Sequence, residues 1–187
     1  MNPSRPHGGG NGPSGAAFPL EAFVSDAQAL DAEGFAAKHG SGFLLVAASN
    51  SFGGESTSTR LFLEGVDEEP GAHTAELAVV IYRLRPKAGP ADGHLVTIGR
   101  DSRHDAVVPD PSVSRLHCIA KREADGSWCL QDMRSSNGTM INSRSVPARG
   151  AGDPAPVKPG DTVQFGQVQF TFTDAATLRE IALEAAR

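Results

Sequence analysis

The stretch VSRLHCIAKREADGSWCLQDMRSSNGT, residues 113–139, contains the clearest structural signal in the chain. Its segment HCIAKREADGSWCLQD places Asp125 and Gly126 between two runs of strand-forming residues, which is the pattern of a β-hairpin around a tight turn. Trp128, Leu130 and Asp132 alternate along the second run, so they share one face of a strand and belong to core and scaffold. The stretch therefore predicts two paired antiparallel strands.

The same pattern extends in both directions from this hairpin. The runs LAVVIYRLR, HLVTIG and DAVV are rich in β-branched residues and are separated by Pro, Gly and Asp. DTVQFGQVQFTF predicts a second hairpin around Gly166 and Gln167. No helical pattern interrupts residues 77–173, and we find no internal repeat. Many short antiparallel strands predict a mostly β fold, a sandwich or a barrel.

Helical patterns flank this β region on both sides. A helix is expected to begin near Pro19, which a first helical turn tolerates. Its apolar residues have helical spacing: Leu20, Phe23, Val24, Ala27 and Leu30. Asp31 can cap a second helix that ends at Gly40, before a strand FLLVAA. The tail DAATLREIALEAAR predicts a C-terminal helix capped by Asp174.

Length and composition limit the classes of function. A chain of 187 residues suits one domain with extensions. Its longest apolar run, residues 43–48, is far shorter than the roughly 20 residues of a membrane span. The Gly- and Pro-rich start lacks the apolar region of a secretory signal. Cys118 and Cys129 are too few for a disulfide framework, so we expect buried thiols and a cytoplasmic protein.

The charge distribution indicates a small anionic target. The net charge of −5 does not favour binding to nucleic acid. Residues 99–149, however, hold eight basic side chains against six acidic ones. Thirteen arginines against four lysines also hint at a GC-rich bacterial genome.

Two catalytic or metal-binding interpretations of the opening stretch fit poorly. Ser114 and His117 lie three residues apart, but no GxSxG turn exposes the serine and no oxyanion site is evident. His104, His117, Cys118 and Cys129 lie within 26 residues, but their spacing matches no common zinc-ligand pair. We therefore expect no enzyme, no metal and no cofactor.

An anion site made of turns remains. Arg100 follows Gly99 at a strand end, Ser114 and Arg115 follow in the next turn, and SSNG follows the hairpin. A phosphate on threonine carries about −1.5 to −2 charges and three acceptor oxygens, which suit a guanidinium and neutral donors beside it. Three loops with these groups could converge at one end of a sandwich.

The segments IGRDSRHDAVVPDPSVSRLH, LQDMRSSNGTMIN and PGDTVQFG resemble the successive signatures of a forkhead-associated (FHA) domain. The resemblance implies an FHA-like antiparallel β-sandwich over residues 76–173, whose loops bind phosphothreonine peptides. Residues 1–17 would then be a disordered Gly-, Pro- and Ser-rich tail. Residues 18–75 would be an N-terminal extension of two short helices, a strand and a polar loop, and residues 174–187 a C-terminal helix.

The resemblance also implies roles for individual residues. Arg100 would grip the phosphate, Ser114 would donate its hydroxyl, and Arg115 would add charge or a backbone donor. Asn137, supported by Ser136, would hold the peptide main chain.

Other positions would support this site without touching the phosphate. His117 would brace the Ser114 loop, and Gly99, Gly138 and Thr139 would shape the neighbouring turns. Arg134 stands where the family often has a small turn residue, and it could widen the positive rim.

Simpler interpretations of these residues stay open at this point. Arg100 could be a solvated charge at a strand end, Ser114 a turn residue, and Asn137 with Gly138 an ordinary hairpin turn. Ser143 follows Asn142 where the family often has Gly.

The resulting hypothesis is a phosphothreonine-peptide recognition module that acts as a signalling adaptor downstream of Ser/Thr kinases, without catalysis. The alternative is a phospho-independent interaction or scaffold module that uses the same sandwich. Under the first hypothesis the partner would be a phosphothreonine-containing protein or peptide, and neither nucleic acid nor a membrane. In GESTSTR, Thr57 or Thr59 could also, once phosphorylated, fold back as the chain's own ligand; an ordinary polar loop is the simpler explanation of this segment.

Overall fold

The structure, a computed structural model, describes residues 17–48, 78–87 and 94–187. Within these ranges the chain forms three helices, α1 (Glu21–Ala29), α2 (Ala32–His39) and α3 (Ala175–Ala185). The strands in the same ranges are β1 (Ala17–Pro19), β2 (Gly42–Ala48), β3 (Ala78–Arg83), β4 (Leu95–Gly99), β5 (Ala106–Val107), β6 (Cys118–Arg122), β7 (Trp128–Asp132), β8 (Thr139–Ile141), β9 (Arg144–Ser145), β10 (Ala155–Val157), β11 (Thr162–Phe165) and β12 (Val168–Asp174).

The strands form two sheets, as the sequence predicted. A seven-stranded sheet has the order β1-β3-β2-β12-β11-β8-β9, and a five-stranded sheet has the order β10-β7-β6-β4-β5. The short pair β4–β5 is parallel, whereas the other paired strands named here are antiparallel. The predicted mostly β sandwich with helices at both ends is confirmed.

Both predicted hairpins are present. β6 pairs with β7 around Gly126, which has a φ of 87°, and Asp125 accepts hydrogen bonds from the backbone and hydroxyl of Ser127. β11 pairs with β12 around Gly166, which has a φ of 61°. A positive φ is easily reached by glycine, so these two residues fix where the chain reverses.

The core between the sheets is apolar and aromatic. Leu130 and Phe165 are fully buried there, and the ring of Trp128 stacks edge-on against Phe172 at 6.3 Å. Both cysteines are buried free thiols, as expected, with Cys118 fully inaccessible. Burial at this scale removes apolar surface from water and holds the two sheets together.

The other face of the seven-stranded sheet is covered by the three helices, which we call the helical layer. Phe43 and Ile81 of the sheet pack with Phe23, Phe35 and Leu178 of the helices, and all five are buried. Asp31 accepts from the backbone of the first turn of α2, as predicted. Asp174 likewise caps α3 through Thr177. No helix of the described residues is long and apolar enough to cross a membrane.

The start of the first helix was predicted wrongly. Pro19 ends strand β1, and the helix begins at Glu21. Ala17, assigned to a disordered tail, belongs to the same strand and pairs with Tyr82 of β3. Without β1, the backbone groups along this edge of β3 would be unpaired. The backbone N–H of Leu20 also donates to the carbonyl of Val79 in β3.

Strand β2 has a central place that its local sequence does not reveal. It lies between β12 and β3 and pairs with both, although it belongs to the predicted N-terminal extension. The predicted boundary at residue 76 therefore passes between two paired strands. The domain limits as a whole remain a prediction.

Candidate functional site

The predicted binding residues lie on loops that meet at one end of the sandwich, which we call the loop end. It consists of residues 99–117, 133–139 and the turn at residues 166–167. Backbone hydrogen bonds tie the loops together: the N–H of Gly166 donates to the carbonyl of Gly138 at 3.2 Å. Both sheets contribute, because residues 133–138 connect β7 of one sheet to β8 of the other.

Arg100 enters the loop end along the main chain of residues 113–115. Its backbone N–H donates to the carbonyl of Ser114 at 3.0 Å, and its Nε donates to the carbonyl of Val113 at 3.2 Å. The side chain is exposed, and within residues 17–48, 78–87 and 94–187 nothing accepts from its two terminal nitrogens. Its guanidinium is thus oriented by one bond and keeps its terminal donors available.

Gly99 is required by the close approach of two loops. A Cβ at this position would collide with the carbonyl of Arg115 and lie about 3.0 Å from the Cα of Leu116. Asp101 donates its backbone N–H to that same carbonyl at 3.2 Å. Any larger residue would push the Arg100 strand end away from the Ser114 turn.

Ser114 connects its own turn to the loop at residues 133–139. Its Oγ accepts from the backbone N–H of Ser136 at 3.0 Å and lies 3.5 Å from the hydroxyl oxygen of that serine. The two hydroxyls are therefore adjacent at the surface. Arg115 beside them is exposed.

Asn137 reaches back to the same turn. Its Nδ2 donates to the carbonyl of Ser112 at 2.7 Å, while the residue stays exposed. The carboxamide is therefore fixed with its oxygen directed to a different neighbour or to solvent. Arg100, Ser136 and Asn137 thus all contact one short segment, residues 112–114.

Ser112 is a residue that sequence reasoning missed. Its hydroxyl donates to Asp110 at 2.5 Å and accepts from the backbone N–H of Gln167 at 2.9 Å. Its backbone N–H also donates to Asp110. An aspartate two residues before a serine is a turn signal that could have identified this anchor.

His117 lies beneath the loops and is completely buried. Its Nδ1 accepts from the backbone N–H of Ser114 at 3.0 Å, so Nε2 carries the proton and donates to the carbonyl of Gly138 at 3.0 Å. Burial lowers the pKa of His117, although the Gly138 bond and Asp132 raise it, and the neutral ring fits both bonds. Because both ring nitrogens are engaged in this way, the imidazole is not a base for the Ser114 hydroxyl.

Asp132, which is buried, holds the loop at residues 133–139 in shape. Its carboxylate accepts from the hydroxyls of Ser135 at 2.6 Å and Thr139 at 2.7 Å, and also from the backbone N–H of Ser135. Burial raises the pKa of Asp132, but the hydrogen bonds from these two residues outweigh it and hold the pKa below its usual range. Gly138, with a φ of 79°, makes the final turn into β8.

Arg134 lies on the same loop in an unusual conformation. Its φ is 60°, and its Nε donates to the carbonyl of Arg149 at 3.2 Å. Thr57 and Thr59, the predicted self-ligands, lie outside the described residues.

Comparison with known proteins identifies the class. The sequence model of the FHA domain matches residues 96–166. The chain is 32% identical over 113 residues to the oxoglutarate dehydrogenase inhibitor of Corynebacterium diphtheriae, covering 59% of this chain and 72% of that protein. The chain belongs to the FHA domain family.

Other relatives match only in part. The chain is 33% identical over 94 residues to the E3 ubiquitin-protein ligase DMA2 of Saccharomyces cerevisiae, covering 43% of this chain and 18% of the ligase. It is 42% identical over 57 residues to the ABC transporter ATP-binding/permease protein Rv1747 of Mycobacterium tuberculosis, covering 30% of this chain and 6% of the transporter. Thus the chain spans less than a fifth of either protein.

Proposed function

We propose that this protein binds phosphothreonine peptides at the loop end and acts as an adaptor downstream of Ser/Thr kinases, without catalysis. Membership in the FHA family supports this function. The observation that carries it is the convergence of Arg100, Ser136 and Asn137 on residues 112–114, which brings the Ser114 hydroxyl to the same place. Separate loops thereby present a cation, hydroxyls and a carboxamide on one exposed surface.

The proposed phosphate contacts follow from the donors available. The terminal nitrogens of Arg100 would bind two phosphate oxygens, and the Ser114 hydroxyl would donate to the third, with Arg115 adding charge. Hydrogen bonds to a charged group contribute about 1.5 to 3 kcal/mol each. Since about 1.4 kcal/mol corresponds to a tenfold change in Kd, loss of Arg100 should weaken binding at least tenfold.

Asn137 would bind the main chain of the peptide. Its Nδ2 is engaged with Ser112, so its Oδ1 is the atom suited to accept a peptide N–H. Threonine selectivity would arise from burial of the extra methyl group. That burial is worth about 0.8 kcal/mol, so we expect phosphoserine peptides to bind about fourfold more weakly.

Titration calorimetry with matched peptides tests the proposal. Wild-type protein should bind a phosphothreonine peptide and not its threonine form. Arg100→Ala and Ser114→Ala should each lose at least tenfold in affinity with only a small fall in melting temperature, because each also removes one hydrogen bond between the loops. Arg144→Ala and Ser145→Ala, on exposed strand β9, are matched controls and should bind normally. Full affinity in both site variants would refute the site.

The phospho-independent scaffold remains the competing function. It predicts that partners are captured equally well before and after phosphatase treatment of a lysate. The proposed function predicts that phosphatase abolishes capture, as does Arg100→Ala. Capture that survives both treatments would favour the scaffold.

The chain's own phosphorylated Thr57 or Thr59 is proposed as a second ligand of the same site. Ala48 and Ala78 are paired at the ends of β2 and β3. β12 pairs with β2 in the register Thr171↔Leu45, which places Ala48 toward the start of β12 and the turn at residues 166–167. The described residues on either side of positions 49–77, Ala48 and Ala78, therefore lie toward the loop end of the sheet.

A comparison before and after kinase treatment tests this self-ligand. Phosphorylation should weaken binding of an added phosphothreonine peptide, because the two compete for one site. The double variant Thr57→Ala with Thr59→Ala should bind the peptide equally before and after treatment. If the phosphorylated wild-type chain binds with unchanged affinity, the self-ligand proposal is wrong.

A further inference from the structure

Asn137 and Gly138 form an Asn-Gly pair on the loop between β7 and β8. Asparagine is chemically labile, because the backbone nitrogen of the next residue can attack its side-chain carbonyl carbon. Glycine in the second position has no Cβ to hinder that attack. The described residues contain one other asparagine, Asn142, which is followed by Ser143. The two asparagines therefore provide a comparison within one chain.

The attacking nitrogen of Gly138 is free and unshielded. Within residues 17–48, 78–87 and 94–187 nothing accepts from its N–H, whereas its carbonyl accepts from Gly166 and His117. A Cβ built on Gly138 would find no atom within 4 Å beyond its chain neighbours, so the space around the residue is open. The carbonyl side of Gly138 is thus fixed to the fold, and its nitrogen side is exposed to reaction.

The side chain of Asn137 is held by a single hydrogen bond. Its Nδ2 donates to the carbonyl of Ser112 at 2.7 Å, the residue is exposed, and no described residue donates to its Oδ1. A neutral hydrogen bond of this kind slows a reaction that must break it by about tenfold at most. The folded loop therefore restrains the carboxamide only weakly.

Asn142 is restrained at both atoms of its carboxamide. Its Nδ2 donates to Asp161 at 2.7 Å, and its Oδ1 accepts from the backbone N–H of Thr162 at 2.9 Å. The next residue, Ser143, also has a Cβ beside the nitrogen that would attack. We expect Asn142 to keep its amide for much longer than Asn137.

We propose that Asn137 is a site of spontaneous deamidation, which converts its carboxamide to a carboxylate and thereby inactivates the loop end irreversibly. The loss of binding rests on the proposed function, whereas the reaction itself does not.

The reaction needs only water and a base from solvent. The backbone nitrogen of Gly138 loses its proton and forms a bond to Cγ of Asn137. The bond between Cγ and Nδ2 then breaks, and Nδ2 leaves as ammonia after taking up a proton. Water opens the resulting five-membered imide at either carbonyl, which gives aspartate or isoaspartate at position 137.

Either product damages the proposed peptide site in two ways. A carboxylate has no N–H to donate, so the bond to the Ser112 carbonyl is lost and the loop at residues 133–139 is released from that segment. The carboxylate also places a negative charge beside the proposed phosphate position and repels the ligand. Isoaspartate in addition lengthens the main chain before Gly138.

Mass spectrometry measures the reaction without any ligand. Wild-type protein and a synthetic peptide of residues 133–141 are kept at physiological temperature in mildly alkaline buffer, digested and analysed over time. The fragment with Asn137 should gain about one dalton at a rate within about tenfold of the peptide's, well before the fragment with Asn142. Fragment masses separate this site from Asn11, which is also followed by glycine.

Binding measurements then connect the reaction to function. Aged wild-type protein should lose affinity for a phosphothreonine peptide in proportion to the deamidated fraction. Fresh Asn137→Asp should bind at least about tenfold more weakly than fresh wild type, with a small fall in melting temperature. Gly138→Ala, whose added Cβ hinders the attack, should lose affinity much more slowly when each sample is compared with its own fresh protein. Saturating peptide should slow deamidation of wild-type Asn137, because its Oδ1 is then engaged.

The outcomes separate the two proposals. If Asn137 reacts more than about tenfold slower than the peptide, or no faster than Asn142, the modification site is wrong and the proposed function is untouched. If Asn137 deamidates but aged protein and Asn137→Asp bind normally, the inactivation is wrong. If fresh wild-type protein binds no phosphothreonine peptide, the proposed function fails and the inactivation with it, while the mass measurement still decides the site.

Discussion

The helical layer and the loop end differ in the partners of their cationic side chains. In the helical layer, Asp26 accepts from Lys38 at 2.7 Å and lies 2.9 Å from the ring of His39. At the loop end, Arg100 and Arg134 use only Nε, on main-chain carbonyls, and no described residue accepts from their terminal nitrogens. The comparison teaches that Lys38 in the layer is satisfied by a carboxylate, as is Arg103 at the loop end, whereas Arg100 and Arg134 keep their terminal nitrogens available for a ligand.

Two buried histidines show the same difference. His39 is 6% exposed and lies between the rings of Phe23 and Phe35, with centroids 5.0 and 4.6 Å away. Its Nδ1 has no hydrogen-bond partner among the described residues. His117 has both ring nitrogens bonded, each to a different loop. The first histidine fills space between helices, and the second connects the loops that carry the site.

The largest effect on stability without an effect on binding should come from the aromatic core of the helical layer. Phe23 is 2% exposed and contacts three other aromatic side chains and His39. Phe23→Ala should lower the free energy of unfolding by about 3 to 5 kcal/mol, without changing phosphopeptide affinity of the folded protein. Urea denaturation and calorimetry measure both quantities.

Phe23→Leu keeps the variant folded if alanine does not, and it should show the same direction with a smaller loss. Gln28→Ala, on the exposed face of α1, is the control and should change stability little. A large loss of affinity in folded Phe23→Leu would mean that the two regions are coupled.

The next largest effect should come from His117, where one substitution reduces both stability and peptide affinity. His117→Phe keeps a ring against Phe165 but leaves the Ser114 N–H and the Gly138 carbonyl without partners. Each orphaned group costs about 1 to 3 kcal/mol. Because Ser114 and Gly138 are only half-buried, we expect the lower part of the range for two groups, a loss of about 2 to 4 kcal/mol in stability. Affinity should also fall at least tenfold.

Ser114→Ala provides the contrast, because it should lose affinity with a much smaller loss of stability: it removes only the exposed hydrogen bond from the Ser136 N–H. Denaturation and calorimetry on both variants distinguish a brace from a contact residue. If His117→Phe bound normally, the histidine would not position the loops.

A smaller effect should appear with pH. Burial lowers the pKa of both His39 and His117, although Asp26 raises that of His39. The unfolded chain therefore takes up protons near pH 6.5 that the folded protein does not, so stability is full above pH 6.5 and decreases as the pH falls below it. Denaturation between pH 5 and 8, without peptide, measures this.

Replacing the two histidines separately sharpens the comparison. His39→Gln and His117→Asn should each reduce the slope of stability against pH below 6.5. The double variant should show little slope in that range. A wild-type slope preserved in the double variant would assign the effect to other groups.

The smallest effect should come from a turn remote from either region. Asn142 and Ser143 join β8 to β9 with φ values of 47° and 64°. Ser143→Gly should raise the free energy of unfolding by about 0.5 kcal/mol, because the relief of a strained φ exceeds the entropy that glycine adds to the unfolded chain. Thermal denaturation measures it, with Ser145→Gly in strand β9 as the destabilising control.

Local signals were sufficient for many elements of this fold. Gly126 and Gly166 mark hairpin turns by glycine's freedom at positive φ, and Asp31 and Asp174 mark helix starts by accepting from first-turn N–H groups. These effects act within four residues, so they are visible in a linear sequence. The ordered FHA-like motifs added the family and the candidate binding residues.

Long-range pairing was not visible in the same way. β1 and β2 obtain their places from backbone hydrogen bonds to strands at least 30 residues away in sequence, and a strand's own residues do not identify its partner. The central role of Ser112 was hidden in part for the same reason: its bonds to Asp110 are local, but its contacts with residues 137 and 167 are not.

The sequence by itself determined most of the strand and helix types, the caps of α2 and α3, the two hairpin turns and the family, because each depends on neighbouring residues or on an ordered motif. Only the tertiary structure decided which strands adjoin, which face the helices cover, and that three loops meet on residues 112–114. Those features depend on hydrogen bonds and burial between segments far apart in the chain, whose free energy appears only when the whole sandwich closes.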